Sequence, residues 1–240
     1  MPEKIIGILG GMGPEATIDL FTKIVKGTKV RKDQDHFRIL IDNNPKIPDR
    51  TLAILGKGPS PLPSLIRSAR LLERAGADFI VIPCVTAHFF WESLQRQIKV
   101  PILHLVEETL SVVSVRMRGV QPLGLLATTG TIQGGLFQGF FSKKGIDLLV
   151  PTAGVQKRVV MNAIYGKDGI KARGPSATSK RLLLKVSEEL IQRGARGIIA
   201  GCTEIPLVLK DGDLSVPLID PIAILARAAV ERAHGGRRSE

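Results

Sequence analysis

The chain has 240 residues, of which 44% are hydrophobic, and a formal net charge of +12 at pH 7. No window approaches the ~18 consecutive apolar residues of a membrane span, and no secretory leader is recognisable, so we expect a cytoplasmic globular protein without a membrane partner. Aromatic residues make up only 4% and the basic clusters are dispersed, which favours a solvated basic surface over a nucleic-acid partner.

The first half alternates apolar runs with helical segments. Strands are predicted at 4–9, 37–42, 78–82 and 101–104, and helices at 14–27, 62–75 and 85–97. The second half repeats this order. It has predicted strands at 122–127, 146–149, 196–200 and 217–219, helices at 132–142, 154–165 and 176–193, and a turn at 203–210. Strands separated by helices predict parallel sheets with crossover helices.

A final helix is predicted at 221–234, followed by a frayed tail at 235–240. We expect two α/β lobes, because single domains commonly have about 100–150 residues. The N-terminal lobe would comprise 1–112 together with about 221–240, and the C-terminal lobe 113–220.

The two halves resemble each other in sequence around the only two cysteines, Cys84 and Cys202. Each cysteine ends an apolar run that begins with Gly-Ala, and a Val-Pro pair follows each. Gly7 aligns with Gly124, 117 positions later, and the cysteines lie 118 positions apart. This internal duplication predicts two equivalent strand ends, each with a thiol, on opposite walls of a central cleft.

The segment GGMGPEAT at 10–17 follows the first predicted strand. Its glycines let the backbone approach a ligand, and backbone N–H groups at the start of the next helix can bind an anion. A dinucleotide site is the rival interpretation. It is disfavoured because the fingerprint has an acidic residue at the end of the second strand about 20 positions on, whereas here that strand ends in Asp42, 31 positions after Gly11.

Two further segments of the first half carry candidate functional groups. The proline-containing loop 43–50 delivers Arg50, whose guanidinium can bind a carboxylate or form an ordinary surface ion pair. PCVTAH at 83–88 places Cys84 at the start of a helix, which favours its thiolate. A lone cysteine there would more often be a buried apolar spacer, and we interpret His88 as a packing or capping residue.

The second half offers hydroxyls at Thr128 and Thr131, and Thr203 and Glu204 directly after Cys202. Thr203 or Glu204 can instead cap a helical turn. The excursion at 165–174 brings Lys171 and Arg173, which can close over a charged ligand or simply form an exposed basic loop. We expect no metal site, because the chain has no CxxC pair and its four histidines are scattered.

Taken in order, GILGGMGPEAT, DQDH, NNPKIPDR, PCVTAH, TTGTI and GCTEIP resemble the aspartate/glutamate racemase family, aspartate racemase branch. The resemblance spans nearly the whole chain. It implies two pseudo-symmetric α/β domains with the active site in the cleft between them, no cofactor, a small acidic amino acid as substrate, and a homodimer. It also implies that Cys84 and Cys202 flank the substrate Cα and exchange acid and base roles.

By the same resemblance, Arg50 and Lys171 match carboxylate-binding positions. Further substrate-binding positions are implied in both halves: Met12, Val85, Thr86, Thr128, Thr131, Thr203 and Glu204. Val85 is a departure, because the family usually has asparagine there. It leaves open another isomerase of the superfamily, of the hydantoin racemase or maleate isomerase type, or a catalytically weakened, ligand-binding or dinucleotide-binding relative. Retention of both cysteines disfavours the one-cysteine decarboxylases.

Overall fold

A computed structural model describes residues 3–117 and 119–235, so the predicted tail lies outside the described residues from 236 onward. The chain forms two compact units. One contains the residues up to Glu108 together with those from Ile222, and the other contains Thr109–Pro221. Within the described residues, no helix is both long enough and apolar enough to cross a membrane.

The first unit is built on a three-stranded parallel sheet in the order β2-β1-β3. Its strands are β1 (Ile6–Gly10), β2 (Ile39–Asn43) and β3 (Phe79–Val81). Its helices are α1 (Pro14–Gly27), α2 (Arg50–Ile54), α3 (Leu62–Arg74) and α4 (Trp91–Gln95), with 3₁₀ helices at Asp33–Asp35 and Val85–Phe90. The strands β1 and β3 are buried throughout, as expected for a parallel sheet that is covered on both faces.

Helix α5 (Leu105–Arg116) runs from the first unit into the second, which contains a four-stranded parallel sheet in the order β5-β4-β6-β7. Its strands are β4 (Leu123–Ala127), β5 (Leu148–Leu149), β6 (Ile198–Gly201) and β7 (Leu218–Ile219). Its helices are α6 (Thr129–Gln133), α7 (Gln138–Phe141), α8 (Ala153–Val155), α9 (Met161–Tyr165), α10 (Ile170–Arg173), α11 (Ala177–Gln192) and α12 (Ile205–Val208). A 3₁₀ helix at Ser142–Lys144 and a π-helical turn at Gln156–Val160 complete this unit.

The last helix, α13 (Pro221–Ala233), returns the chain to the first unit. The Lys4 amide donates to the Ala233 carbonyl at 3.1 Å. The ring of His234 packs edge-on against Phe37, with 4.6 Å between the ring centroids. These contacts join the two ends of the chain in one unit.

The two sheets share a register around their central strands. In the first unit Gly7 of β1 pairs with Ile80 of β3, and in the second Gly124 of β4 pairs with Ile198 of β6. Cys84 lies four positions after Ile80, and Cys202 lies four positions after Ile198. In both units, therefore, a cysteine lies four positions after the residue that pairs with a central-strand glycine.

One predicted strand is reduced to a single bridge. The prediction of a strand at 101–104 is wrong, because only Ile102 pairs, with Ile80. The Ile102 amide donates to the Gln95 side-chain oxygen at 2.7 Å, and the Trp91 indole donates to the Ile102 carbonyl at 3.0 Å. Ile80 of β3 bonds the Pro101 carbonyl and the Leu103 amide, so the two Ile102 backbone groups face away from β3, and their bonds to α4 side chains leave them unable to pair with a further strand.

Several predicted helices have other bounds. The predicted helix 85–97 is a 3₁₀ helix followed by α4, and the predicted helix 154–165 contains a π-helical turn between α8 and α9. The predicted helix 132–142 starts earlier, at Thr129, and divides into α6 and α7. Two segments predicted as loops contain short helices, α2 at Arg50 and α10 at Lys171. Side-chain capping explains one of these, because Asp49 accepts from the Leu52 amide at 2.7 Å and starts α2.

We predict that Gly11→Ala destabilises the first unit more than Gly56→Ala does. Both glycines have positive φ, +91° and +68°, but a Cβ at Gly11 would lie 2.3–2.5 Å from backbone atoms of Asn44, whereas nothing lies within 4 Å at Gly56. Gly56→Ala should cost about 1 kcal/mol of unfolding free energy and Gly11→Ala at least about 3 kcal/mol. Urea unfolding measures both, and equal losses would contradict the close approach of the two loops.

Candidate active site

In the first unit, the loops after β1 and β2 are tied together by Arg50. Gly10 pairs with Asn43 at the ends of these strands, and the loops leave side by side. The Arg50 side chain is buried. Its Nη2 donates to the Met12 carbonyl at 3.2 Å, and its Nη1 donates to the carbonyls of Ile47 at 3.2 Å and Pro48 at 3.0 Å.

The side chain of Met12 packs in the apolar core with Leu9, Ile47 and Cys84. Met12 therefore presents its backbone, and not its thioether, to Arg50. This placement also brings the glycine loop and Cys84 into the same part of the first unit.

Cys84 is buried at the N-cap of the 3₁₀ helix that follows β3. Its carbonyl accepts from the Ala87 amide at 3.2 Å and from His88 Nδ1 at 2.9 Å. The Ala87 amide lies three residues after its acceptor, which is the hydrogen bond of a 3₁₀ helix. The His88 imidazole bonds the same Cys84 carbonyl, and the two bonds together account for the tight 3₁₀ geometry. Val85 and Thr86 follow in this helix, both buried.

His88 packs against His104, with 5.1 Å between the ring centroids. Burial lowers the pKa of His88 to about 4, and burial together with the neighbouring His88 lowers the pKa of His104 to about 3. Since its partner is a carbonyl oxygen, His88 Nδ1 carries the proton in the neutral ring. His88 is thus a buried packing residue next to Cys84, in line with the sequence-based interpretation.

In the second unit, the ends of β4 and β6 lie side by side, with Ala127 paired to Gly201. Thr128 and Cys202 are therefore the first residues after two adjacent strands. Thr128 is the N-cap of α6: its Oγ1 accepts from the Thr131 amide at 3.2 Å and lies 3.1 Å from the Thr131 hydroxyl. Both threonines are buried.

Cys202, Thr203 and Glu204 form a buried cluster around one carboxylate. Glu204 Oε2 accepts from the Cys202 thiol at 2.9 Å and from the Thr203 hydroxyl at 3.2 Å. Its other oxygen, Oε1, forms an ion pair with Lys171 Nζ. Glu204 occupies the N-cap position of α12 but makes no capping hydrogen bond, because its carboxylate is directed to these side chains.

The electrostatics of this cluster keep Cys202 as a thiol. Burial raises the pKa of Cys202 well above its usual value, the Glu204 carboxylate raises it further, and Lys171 opposes the shift. The helix that follows has only four residues, so its N-terminus offsets little of this effect. Cys202 is therefore a thiol that donates its hydrogen bond to Glu204.

Two residues of these clusters carried no signal in the sequence. His104 lies 16 positions after His88, and Gln156, whose Nε2 donates to the Ala127 carbonyl at 2.9 Å, lies 29 positions after that strand end. Among the residues the structure describes, no group of three or more His, Cys, Asp or Glu side chains is arranged to hold a metal ion.

Comparison with known proteins defines the family. A family model described as Asp/Glu/Hydantoin racemase matches residues 9–229. The chain belongs to this family. It is 30% identical over 232 residues to the broad specificity amino-acid racemase RacX of Bacillus subtilis strain 168, covering 94% of this chain and 96% of that protein.

Solved structures confirm the α/β fold with parallel sheets. The Picrophilus torridus aspartate racemase superposes with a TM-score of 0.83 at 27% identity, covering 96% of this chain and 94% of that one. The glutamate racemase of Francisella tularensis, solved with D-glutamate, superposes with a TM-score of 0.67 at 16% identity, covering 100% of this chain and 85% of that one. At that identity the second likeness concerns the fold alone.

We predict that the buried His88 and His104 make the folded protein sensitive to acid. The unfolded chain takes up protons near the ordinary histidine pKa of about 6.5, whereas the folded chain holds His88 neutral down to about pH 4. The unfolded state binds more protons in this window, so stability falls as the pH drops through it, by about 3 kcal/mol for His88.

The variant His88→Asn tests this assignment. Asparagine retains a donor near Nδ1 but does not titrate, so its unfolding free energy should change less between pH 6.5 and 4 than that of the unsubstituted protein. The matched control is His36→Gln, at a half-exposed histidine. An unaltered pH dependence in His88→Asn would contradict the prediction.

Proposed function

We propose that the protein is a cofactor-independent amino-acid racemase in which Cys84 and Cys202 act as acid and base on opposite faces of the substrate Cα. The observation that carries the proposal is the shared register of the two cysteines. Each lies four positions after a residue that pairs with a central-strand glycine, Ile80 with Gly7 and Ile198 with Gly124. Equivalent thiols in equivalent positions suit a reaction that treats two mirror-image substrates alike.

Racemisation removes the Cα proton from one face and returns a proton to the other. One sulfur must be a thiolate that accepts the proton, and the other a thiol that donates one. The Glu204 contact and the raised pKa of Cys202 favour Cys202 as the donor in the substrate-free protein. Cys84 then takes the first proton, and the two roles are exchanged in the product complex.

Without an electron sink, the negative charge that develops on the substrate needs aimed hydrogen-bond donors. The hydroxyls of Thr86, Thr128, Thr131 and Thr203 are assigned to this environment, together with the backbone N–H groups of the glycine loop. The buried threonines in the second unit are held by one another and by Glu204. Their orientation is therefore fixed before substrate arrives.

For the substrate we propose an acidic amino acid, aspartate or glutamate, bound through Arg50 and Lys171. The name of the Picrophilus relative, an aspartate racemase, supports this class. The name of the Bacillus relative, a broad specificity amino-acid racemase, supports a wider range. Both ranges share the α-amino acid core on which the proposed chemistry takes place.

We further propose that the protein works in the cytoplasm as a homodimer. Three large apolar side chains of the first unit are exposed next to one another: Ile18 and Phe21 on α1 and Ile41 on the edge strand β2. A second copy covering this group would remove apolar surface from water.

We predict that Cys84→Ala and Cys202→Ala each reduce racemisation by at least about a thousandfold, because either face of Cα loses its proton donor or acceptor. The measurement is circular dichroism of each enantiomer of aspartate, glutamate and a panel of neutral amino acids. Solvent deuterium at Cα is followed in parallel by mass spectrometry.

The single variants should still exchange the Cα proton of one enantiomer, because the remaining thiol faces it. The double variant serves as the control and should neither racemise a substrate nor exchange its Cα proton. A single variant that racemises at nearly the original rate would refute the two-cysteine mechanism.

We predict that Val85→Asn raises kcat/KM for acidic substrates about tenfold. Val85 is buried directly after Cys84, and the family usually has an amide at this position that contacts the substrate. Val85→Thr is the isosteric control, since it adds polarity without an amide. If Val85→Thr matches Val85→Asn, or if neither changes kcat/KM, the missing amide does not explain the departure.

A further inference from the structure

The ammonium of Lys171 lies against a charge of the opposite sign. Lys171 Nζ is paired with Glu204 Oε1, and it also lies 5.6 Å from the centroid of the Tyr165 ring. The side chain of Lys171 is 19% exposed, whereas that of Glu204 is 5% exposed. Lys171 therefore forms the solvent-facing side of the pair, and Glu204 the inner side.

This arrangement has a direct electrostatic consequence. A carboxylate that approaches Lys171 from solvent meets the field of a cation with an anion directly behind it, and the sum of the two charges is zero. A buried anion is screened little by solvent. The attraction for the second carboxylate of a dianionic substrate is consequently much weaker than that of a lone ammonium.

The carboxylate of Glu204 is held in this position by the rest of the cluster. Its Oε2 accepts from the Cys202 thiol and the Thr203 hydroxyl. Three groups of the second unit thus fix its orientation, and a substrate cannot displace Glu204 from Lys171 without breaking these bonds. The balance of charge is built into the fold of the second unit.

We propose that Glu204 is a specificity-determining residue, which limits discrimination between acidic and neutral amino acids by balancing the charge of Lys171. The inference rests on the proposed racemase function. In this proposal Glu204 acts through Lys171 as a positioning residue, while its sequence-based assignment to the substrate pocket stays a prediction. A charge-balanced pair tolerates a neutral substrate side chain, and the substrate range broadens.

The test is the ratio of kcat/KM for aspartate to kcat/KM for alanine. Glu204→Gln removes the negative charge but keeps the shape and an acceptor oxygen, and it should raise this ratio at least about tenfold. Any effect of the substitution on the Cys202 thiol is common to both substrates and cancels in the ratio. Glu204→Asp retains the charge, and its ratio should stay within about threefold of the original.

Two controls isolate the Lys171 charge. Asp213→Asn removes the same charge from another lysine–carboxylate pair of the second unit, Lys180 with Asp213 at 2.6 Å, and should leave the ratio unchanged. Lys171→Met alone should lower the ratio, because the Glu204 carboxylate is then unbalanced and repels the second carboxylate of aspartate. A ratio that is unaffected by Glu204→Gln, or that rises in Lys171→Met, would overturn the proposal.

A binding measurement separates this proposal from the proposed function. Calorimetric titration with succinate and propionate needs no turnover, and Glu204→Gln should raise the affinity for succinate relative to propionate at least about tenfold. If the unsubstituted protein incorporates no deuterium at Cα of any amino acid while this shift occurs, the racemase function is wrong and the charge balance is right. If racemisation occurs and the relative affinity does not change, the charge balance is wrong.

Discussion

The rest of the structure depends on one constraint, the parallel pairing of each central strand with the neighbouring strand that a cysteine follows. Parallel strands deliver their carboxyl ends to one edge of a sheet, so the residues that follow two paired strands become neighbours whatever their separation in sequence. In the second unit, the pair Ala127 and Gly201 brings Thr128 beside Cys202. A bulky residue at Gly201 would disturb this approach, because a Cβ there would lie 2.6 Å from Leu125.

The two units handle buried charge in different ways. In the first, Arg50 is fixed by main-chain carbonyls of two loops, so one cation orders the glycine loop and the segment before α2. In the second, a buried carboxylate is stabilised by an ammonium, a hydroxyl and a thiol. Desolvation of a lone carboxylate would cost several kcal/mol, and the ion pair with its additional hydrogen bonds offsets that cost.

The repeat is preserved in the sheets and lost in the segments after the cysteines. After Cys84 comes a six-residue 3₁₀ helix, stabilised by a buried histidine that takes the cysteine carbonyl. After Cys202 comes a carboxylate that accepts the thiol proton. Strand pairing tolerates little change in a buried sheet, whereas the loops that follow can diverge, and the two thiols thereby acquire different environments.

The sequence by itself determined the alternation of strands and helices, the family, and the equivalence of Cys84 and Cys202, because these follow from local periodicity and from motifs in a fixed order. It did not determine which side chains meet. Lys171 and Glu204 are 33 positions apart, and their ion pair depends on how α10 and α12 are placed in the second unit. The side-chain bonds to the Ile102 backbone and the depressed pKa values of His88 and His104 likewise depend on contacts between separate segments. Only the tertiary structure decided these features, because burial and hydrogen-bond partners are properties of the packed chain and have no local signature in sequence.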